Sequence, residues 1–153
     1  MQPPYNEGMK FRYQRWMLRA ALLYLLVGVS LGLFLYLAPA FPAFRWAFRW
    51  HTTHVHLLLM GTVIQVIMAV ALWMFPRRKT PPYWTPEGQG MTLFWLFNLG
   101  VVLRSLAEPW ALDHPGFYAV SLAGVVLEIL ALLYFVYLVH QRIRAPRGTS
   151  RPH

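Results

Sequence analysis

The sequence predicts an all-α integral membrane protein, a four-helix bundle with both termini on the cytoplasmic side. Hydrophobic residues make up 58% of the 153-residue chain and charged residues only 12%, whereas soluble domains carry about 25% charged residues. Four apolar runs are long enough to cross the hydrocarbon core of a bilayer, which takes about 20 helical residues. Lys and Arg are concentrated in alternate connections between these runs, as in multi-pass membrane proteins.

Short connections separate the four predicted spans. The spans cover residues 17–37, 51–75, 91–112 and 116–139. The first, second and fourth are nearly continuous apolar runs, whereas Asn98, Arg104 and Glu108 interrupt the third. The apolar core of the first span is longer than the roughly 7–15 residues of a signal peptide. We therefore expect the first span to remain in the protein as a transmembrane helix.

The distribution of basic residues predicts the orientation of the chain. A basic segment at residues 1–16 precedes the transmembrane domain at residues 17–140, and a basic, proline-rich tail at residues 141–153 follows it. The loop between the second and third spans adds Arg77, Arg78 and Lys79, whereas the connections on the opposite side contain only Arg45 and Arg49. Because positively charged loops stay in the cytoplasm, we expect an inner-membrane protein with both termini inside. The net charge of +9 is then a topological signal, and we expect no nucleic-acid partner.

Several classes of chemistry are excluded by the sequence. The chain has no cysteine, which rules out disulfides, thiolate metal sites and cysteine nucleophiles. It has no phosphate-binding motif of the P-loop type and no serine- or carboxylate-based arrangement for hydrolysis. If the protein is an enzyme, its chemistry would belong to a cofactor.

Polar side chains within the predicted spans fall into two layers. Four lie in the outer third of the membrane: His54, His56, Arg104 and Glu108. Three lie near the midplane: Gln65, Asn98 and Glu128. Arg104 and Glu108 are four residues apart, so we expect them to pair on one helix face. Ionisable groups at this depth usually face the bundle interior and mark function; the alternative is a structural ion pair with a protonated carboxyl in the core.

Three histidines, His51, His54 and His56, precede the apolar run of the second span. Imidazole is the commonest metal ligand, so they are candidate ligands; the alternative, favoured for His51, is a helix cap in an aromatic belt with Trp46 and Trp50. Residues three apart on a helix differ by about 60° in direction, and residues two apart by about 200°. His51 and His54 can therefore share a face. His54 and His56 point to opposite sides, so one can face its own bundle while the other meets a neighbouring subunit.

The second span carries a longer pattern around these histidines. The stretches HVHLLLMGTVIQ at residues 54–65 and ALWMFPR at residues 71–77 resemble the haem-copper oxidase subunit I superfamily. The resemblance is closest to the nitric-oxide reductase and cbb3-type branches and to the small four-span proteins related to them. It is concentrated in residues 51–77 and elsewhere rests on span number. It implies a membrane protein that binds haem b iron and acts in electron transport or in handling nitric oxide or oxygen.

The resemblance also implies roles for individual residues. In that superfamily a histidine on the second helix ligates a low-spin haem near the outer face, which makes His54 or His56 the candidate ligand, with His56 preferred because it lies deeper. Arginines near that face pair with the haem propionates, a role open here to Arg45, Arg49 and Arg104. Arg104 and Glu108 would also tune the iron by charge and hydrogen bonding.

This chain departs from the full oxidase subunit, which has more spans and further histidine ligands. Here the later spans contain no histidine: His114 lies in the outer loop and His140 at the cytoplasmic end. A second ligand would come either from His114, folding over from the loop, or from another copy of the chain. We expect a homo-oligomer, by analogy a trimer, because three copies supply as many helices as the full subunit. Close helix contact is possible through Gly28-x-x-x-Gly32.

Three other functions remain open from the residues alone. A copper or zinc site built from histidines is a close variant, since imidazole suits these metals as well as iron. The chain can instead be a non-catalytic accessory or assembly subunit of a respiratory complex, with its polar layers holding helices together. A small transporter or proton path lined by Gln65, Asn98 and Glu128 is the third alternative.

Overall fold

The computed structural model describes residues 12–75 and 86–143. Four helices in this part of the chain are long and apolar enough to span a membrane: Arg12–Leu37, Pro42–Met74, Glu87–Trp110 and Pro115–Gln141. The described residues contain no β-strand. The predicted all-α, four-helix integral membrane bundle is therefore confirmed. The predicted basic segments at both ends, and the basic loop at 76–85, lie wholly or largely outside the described residues.

The described helices and turns follow the predicted spans closely. They are α1 (Arg12–Leu37), a 3₁₀ turn (Pro42–Trp50), α2 (His51–His56), a π-helical segment (Leu57–Ile64), α3 (Gln65–Met74), α4 (Pro86–Ala107), a second 3₁₀ turn (Glu108–Trp110) and α5 (Pro115–Ile143). The second span is thus continuous from α2 through the π segment to α3. α1 packs mainly on this second span, and α5 packs mainly on α4.

Large apolar side chains cover the outside of the bundle. Leu22, Trp73, Trp95 and Leu133 are between 60% and 64% exposed, and one of them lies on each of the four spanning helices. Soluble monomers rarely expose contiguous apolar patches above a few hundred Å². An apolar exterior on every spanning helix is what contact with lipid tails requires.

Two glycines bring α4 and α5 into backbone contact. A Cβ atom added to Gly100 would lie 2.9 Å from the main-chain nitrogen of Glu128, and one added to Gly124 would lie 2.7 Å from the main-chain nitrogen of Arg104. Small residues allow membrane helices to approach this closely. Arg104 of α4 and Glu128 of α5 therefore lie on two helices whose backbones are in direct contact.

The Gly28-x-x-x-Gly32 motif lies where α1 meets the second span. A Cβ atom on Gly28 would be 2.7 Å from the Leu58 Cδ2 atom, and one on Gly32 would be 2.7 Å from the His54 Cε1 atom. The close helix contact that the motif predicts is therefore made within one chain, and it places the His54 ring against α1.

The π segment changes the direction of side chains along the second span. An α-helix turns about 100° per residue, so His56 and Gln65, nine positions apart, would point to opposite sides of a regular helix. A π-helix takes more residues per turn because its hydrogen bonds span five residues. In the structure, both side chains hydrogen-bond to residues of α4 or of the turn that follows it. The π segment thus brings His56 and Gln65, which belong to different polar layers, to the same face of the second span.

Replacing Gly124 with alanine tests the contact between α4 and α5. The new Cβ would meet backbone atoms of Arg104 and Gly100 at 2.7 and 2.8 Å, and backbone cannot move aside without separating the helices. We expect a loss of about 1–3 kcal/mol of stability, as for other overpacked sites, measured as a lower thermal midpoint in detergent by circular dichroism. Gly116→Ala is the matched control, since a Cβ there has no atom within 4 Å. Equal midpoints for the two variants would contradict the prediction.

Candidate functional site

Arg104 lies at the centre of a charged network inside the bundle. Its Nη1 atom donates to Glu128 Oε2 of α5 at 3.0 Å, and its Nη2 atom donates to His56 Nε2 of α2 at 2.8 Å. Its Nε atom is 3.6 Å from Glu108 Oε1 in the following 3₁₀ turn. The predicted pairing of Arg104 with Glu108 is confirmed. The guanidinium also connects three parts of the chain, which the sequence did not predict.

His56 has both ring nitrogens engaged in this network. Nε2 accepts a hydrogen bond from Arg104, so the ring proton is on Nδ1, which donates to Glu108 Oε2 at 2.9 Å. The ring is therefore a neutral imidazole with a fixed tautomer. With Arg104 in this position, His56 has no lone pair available for a metal.

Glu128 belongs to this network and not to the deeper layer in which the sequence placed it. Its depth along α5 suggested the midplane, but the Arg104 side chain is long and the glycine contact between α4 and α5 is close. Arg104 therefore reaches Glu128 directly. Glu128 is only 2% exposed, and its Oε1 atom has no hydrogen-bond partner among the described residues.

The deeper polar layer is centred on Asn98. Its Oδ1 atom accepts hydrogen bonds from the Tyr24 hydroxyl at 2.9 Å and from Gln65 Nε2 at 3.3 Å. Gly61 lies against the Tyr24 ring, since a Cβ there would be 2.8 Å from Tyr24 Cγ. Sequence reasoning missed Tyr24. The available signal was that its hydroxyl is one of the few hydrogen-bonding groups in the first span.

His54 faces away from the network, toward α1. Its Nδ1 atom is 2.7 Å from the main-chain oxygen of Gly28, and because a carbonyl can only accept, Nδ1 carries the proton. In the neutral form of the ring the lone pair is then on Nε2, and no group in the described part of the chain donates to it. The prediction that His54 and His56 point to opposite sides of the helix is confirmed.

The other predicted histidines, His51 and His114, lie at the end of the bundle where α4 is connected to α5. His51 is exposed at the start of α2, and His114 is exposed between α4 and α5 with its ring 6.0 Å from that of Phe117. Within residues 12–75 and 86–143, no group of three or more His, Cys, Asp or Glu side chains could hold a metal ion. The structure therefore does not bring His51, His54, His56 and His114 together as one ligand set.

Arg49 connects the helices at this same end of the bundle. Its guanidinium pairs with the Asp113 carboxylate and donates to the main-chain oxygen of Pro109 at 3.4 Å. The same group lies over the Trp110 ring, 4.6 Å from its centroid. Arg49 thereby ties the first 3₁₀ turn to the connection between α4 and α5, whereas Arg45 on that turn is exposed.

Comparison with protein-family models, characterised proteins and solved structures found no match for this chain. The resemblance of residues 51–77 to the haem-copper oxidase subunit stays a prediction. The chemistry that the described residues offer is of two kinds. One is the imidazole of His54, whose Nε2 has no donor among the described residues, and the other is the largely buried charged network around Arg104.

Replacing Arg104 with methionine tests whether this network holds the bundle together. The change keeps most of the side-chain length but leaves Glu108 and Glu128 without their shared cation. Removing one partner from a buried ion pair costs about 3–5 kcal/mol. The matched control is Arg49→Met, because Arg49 and Asp113 are 42% and 46% exposed and exposed pairs contribute about 0–1 kcal/mol. We expect Arg104→Met to lower the midpoint of thermal unfolding in detergent much more than Arg49→Met does. Similar small decreases of the midpoint in both variants would contradict the prediction.

Proposed function

We propose that this chain is a membrane haem b protein in which His54 ligates the iron, acting in electron transfer or in handling nitric oxide or oxygen. The observation that carries the proposal is the hydrogen bond from His54 Nδ1 to the Gly28 carbonyl at 2.7 Å. Metal-ligating histidines almost always donate their other ring N–H to a carbonyl or carboxylate, which fixes the tautomer and orients the free nitrogen. His54 already has this arrangement.

His54 is a better candidate than His56, although the resemblance favours the deeper residue. The Nε2 atom of His56 accepts from Arg104 at 2.8 Å, so Arg104 would have to move before His56 could bind iron. That movement would leave Glu108 and Glu128 without their cation. His54 needs no such rearrangement, and Gly32 provides the space for its ring beside α1.

The residues of this chain would hold and orient the cofactor. When bound, haem supplies one-electron and gas-binding chemistry. His54 supplies the nitrogen ligand and the Gly28 carbonyl fixes its ring. Arg49 and Arg104 already pair with carboxylates of the chain, so the exposed Arg45 is the candidate partner for a haem propionate.

A second residue to hold the iron would come from outside the described contacts of His54. His114 is exposed between α4 and α5, with its ring beside that of Phe117, so we favour a second copy of the chain as the source. We therefore propose a homo-oligomer in the inner membrane, a trimer by analogy with the larger subunit, working with a respiratory-chain partner. Copper or zinc on the same nitrogen is the variant of this proposal, since imidazole also suits these metals.

A second candidate function is that of an accessory or assembly subunit of a respiratory complex. The observation in its favour is that both ring nitrogens of His56 are used inside the chain, where they join α2 to α4 and to the 3₁₀ turn after α4. On this hypothesis the histidines stabilise the bundle and hold no cofactor. Replacing His54 and His56 would then reduce the yield of the complex without changing its cofactor content.

The haem proposal is tested by the absorbance spectrum of His54→Ala. We expect wild-type protein produced with adequate haem to show a Soret band, and His54→Ala to lose most of it because the iron loses its ligand. His51→Ala is the matched control, since His51 lies one turn earlier and is exposed, and it should keep the band. A wild-type protein without a Soret band would exclude haem, and metal analysis would then test copper or zinc. An unchanged band in His54→Ala would exclude His54 as the ligand.

A further inference from the structure

Glu128 presents a buried carboxyl oxygen that the network does not use. One of its oxygens, Oε2, accepts from Arg104 at 3.0 Å. The other, Oε1, has no partner among the described residues, although Glu128 is only 2% exposed. Buried polar atoms are almost always hydrogen-bonded, and a buried negative charge on an oxygen that accepts no hydrogen bond is costly.

The charges in the network do not balance without one more proton. The charged and titratable groups facing Glu128 are Arg104, Glu108 and His56, from α4, the turn after it and α2. Arg104 carries one positive charge, and His56 is neutral because its Nε2 accepts from Arg104. If both carboxyls were ionised, the network would have one net negative charge. A buried charge without a partner is costly, and a single bound proton removes it.

The hydrogen bonds favour one oxygen atom for this proton. Glu108 Oε2 accepts from His56 at 2.9 Å, so a proton there would displace an existing bond. Glu108 Oε1 faces Arg104 Nε at 3.6 Å, where a proton would be repelled. Only Glu128 Oε1 can take a proton without breaking or opposing a contact of the network.

We propose that Glu128 is a buried proton-binding site that holds one exchangeable proton on Oε1. Uptake forms an O–H bond from the carboxylate and a proton of the solvent, and leaves the network neutral. Release leaves one net negative charge shared by Glu108 and Glu128 around Arg104. The site is independent of the haem proposal, because it requires only residues of α2, α4, α5 and the second 3₁₀ turn.

Infrared spectroscopy of the full-length protein in lipid nanodiscs tests this site. We expect wild-type protein near neutral pH to show the carbonyl band of a protonated carboxyl, shifted by deuterium exchange, and Glu128→Gln to lack it. Glu128→Asp should keep a band at a changed frequency, which identifies the group even if Glu128→Gln folds poorly. The matched control is Asp113→Asn, which removes an exposed carboxyl and should leave the band unchanged.

Glu108→Gln tests the charge balance itself. Without the second carboxylate, the network is neutral when Glu128 is ionised. We therefore expect the Glu128 band to disappear at a lower pH in this variant than in wild type. An absent band in wild type, a band that persists in Glu128→Gln, or identical titration in Glu108→Gln would each overturn the proposal. None of these results depends on the Soret band, so failure here and failure of the haem proposal are distinguishable.

Discussion

The guanidinium of Arg104 is the constraint on which the arrangement of the bundle depends. Arginine is not deprotonated in proteins, so it cannot escape the cost of burial by losing its charge, as a carboxyl can. A permanent cation on a membrane-spanning helix must therefore find partners on its neighbours. Arg104 finds them on α2, on the turn that follows α4, and on α5. Each helix that contributes a partner is fixed in depth and rotation relative to α4.

Two backbone features make these contacts possible. The glycine contact between α4 and α5 removes the side chains that would otherwise separate Arg104 from Glu128. The π segment turns the second span so that His56 and Gln65 both reach the side of α4. Both bring polar side chains within hydrogen-bonding distance of one another. Polar groups can be kept inside a membrane only when they are hydrogen-bonded or paired in this way.

The parts of the fold that follow from local rules could be predicted from the sequence. Span number and approximate bounds depend on the length of apolar runs. The pairing of Arg104 with Glu108 depends on helical spacing, as do the opposite directions of His54 and His56. The contacts between helices could not be predicted in the same way. The pairing of Arg104 with Glu128, and of Tyr24 with Asn98, depends on the rotation of each helix, which is set by glycine contacts and by the π segment.

The choice between His54 and His56 also depends on contacts that the position of a residue in the sequence does not reveal. Depth in the membrane favours His56 as a ligand, because ionisable groups deeper in the bilayer are the ones that usually mark function. Depth does not say whether a ring nitrogen is already in use. The tautomer of each ring follows from its own hydrogen bonds: Arg104 donates to His56, whereas Gly28 accepts from His54. Since a metal needs a free lone pair, the shallower residue is the better candidate for the ligand in the proposed site, and the deeper one belongs to the charged network.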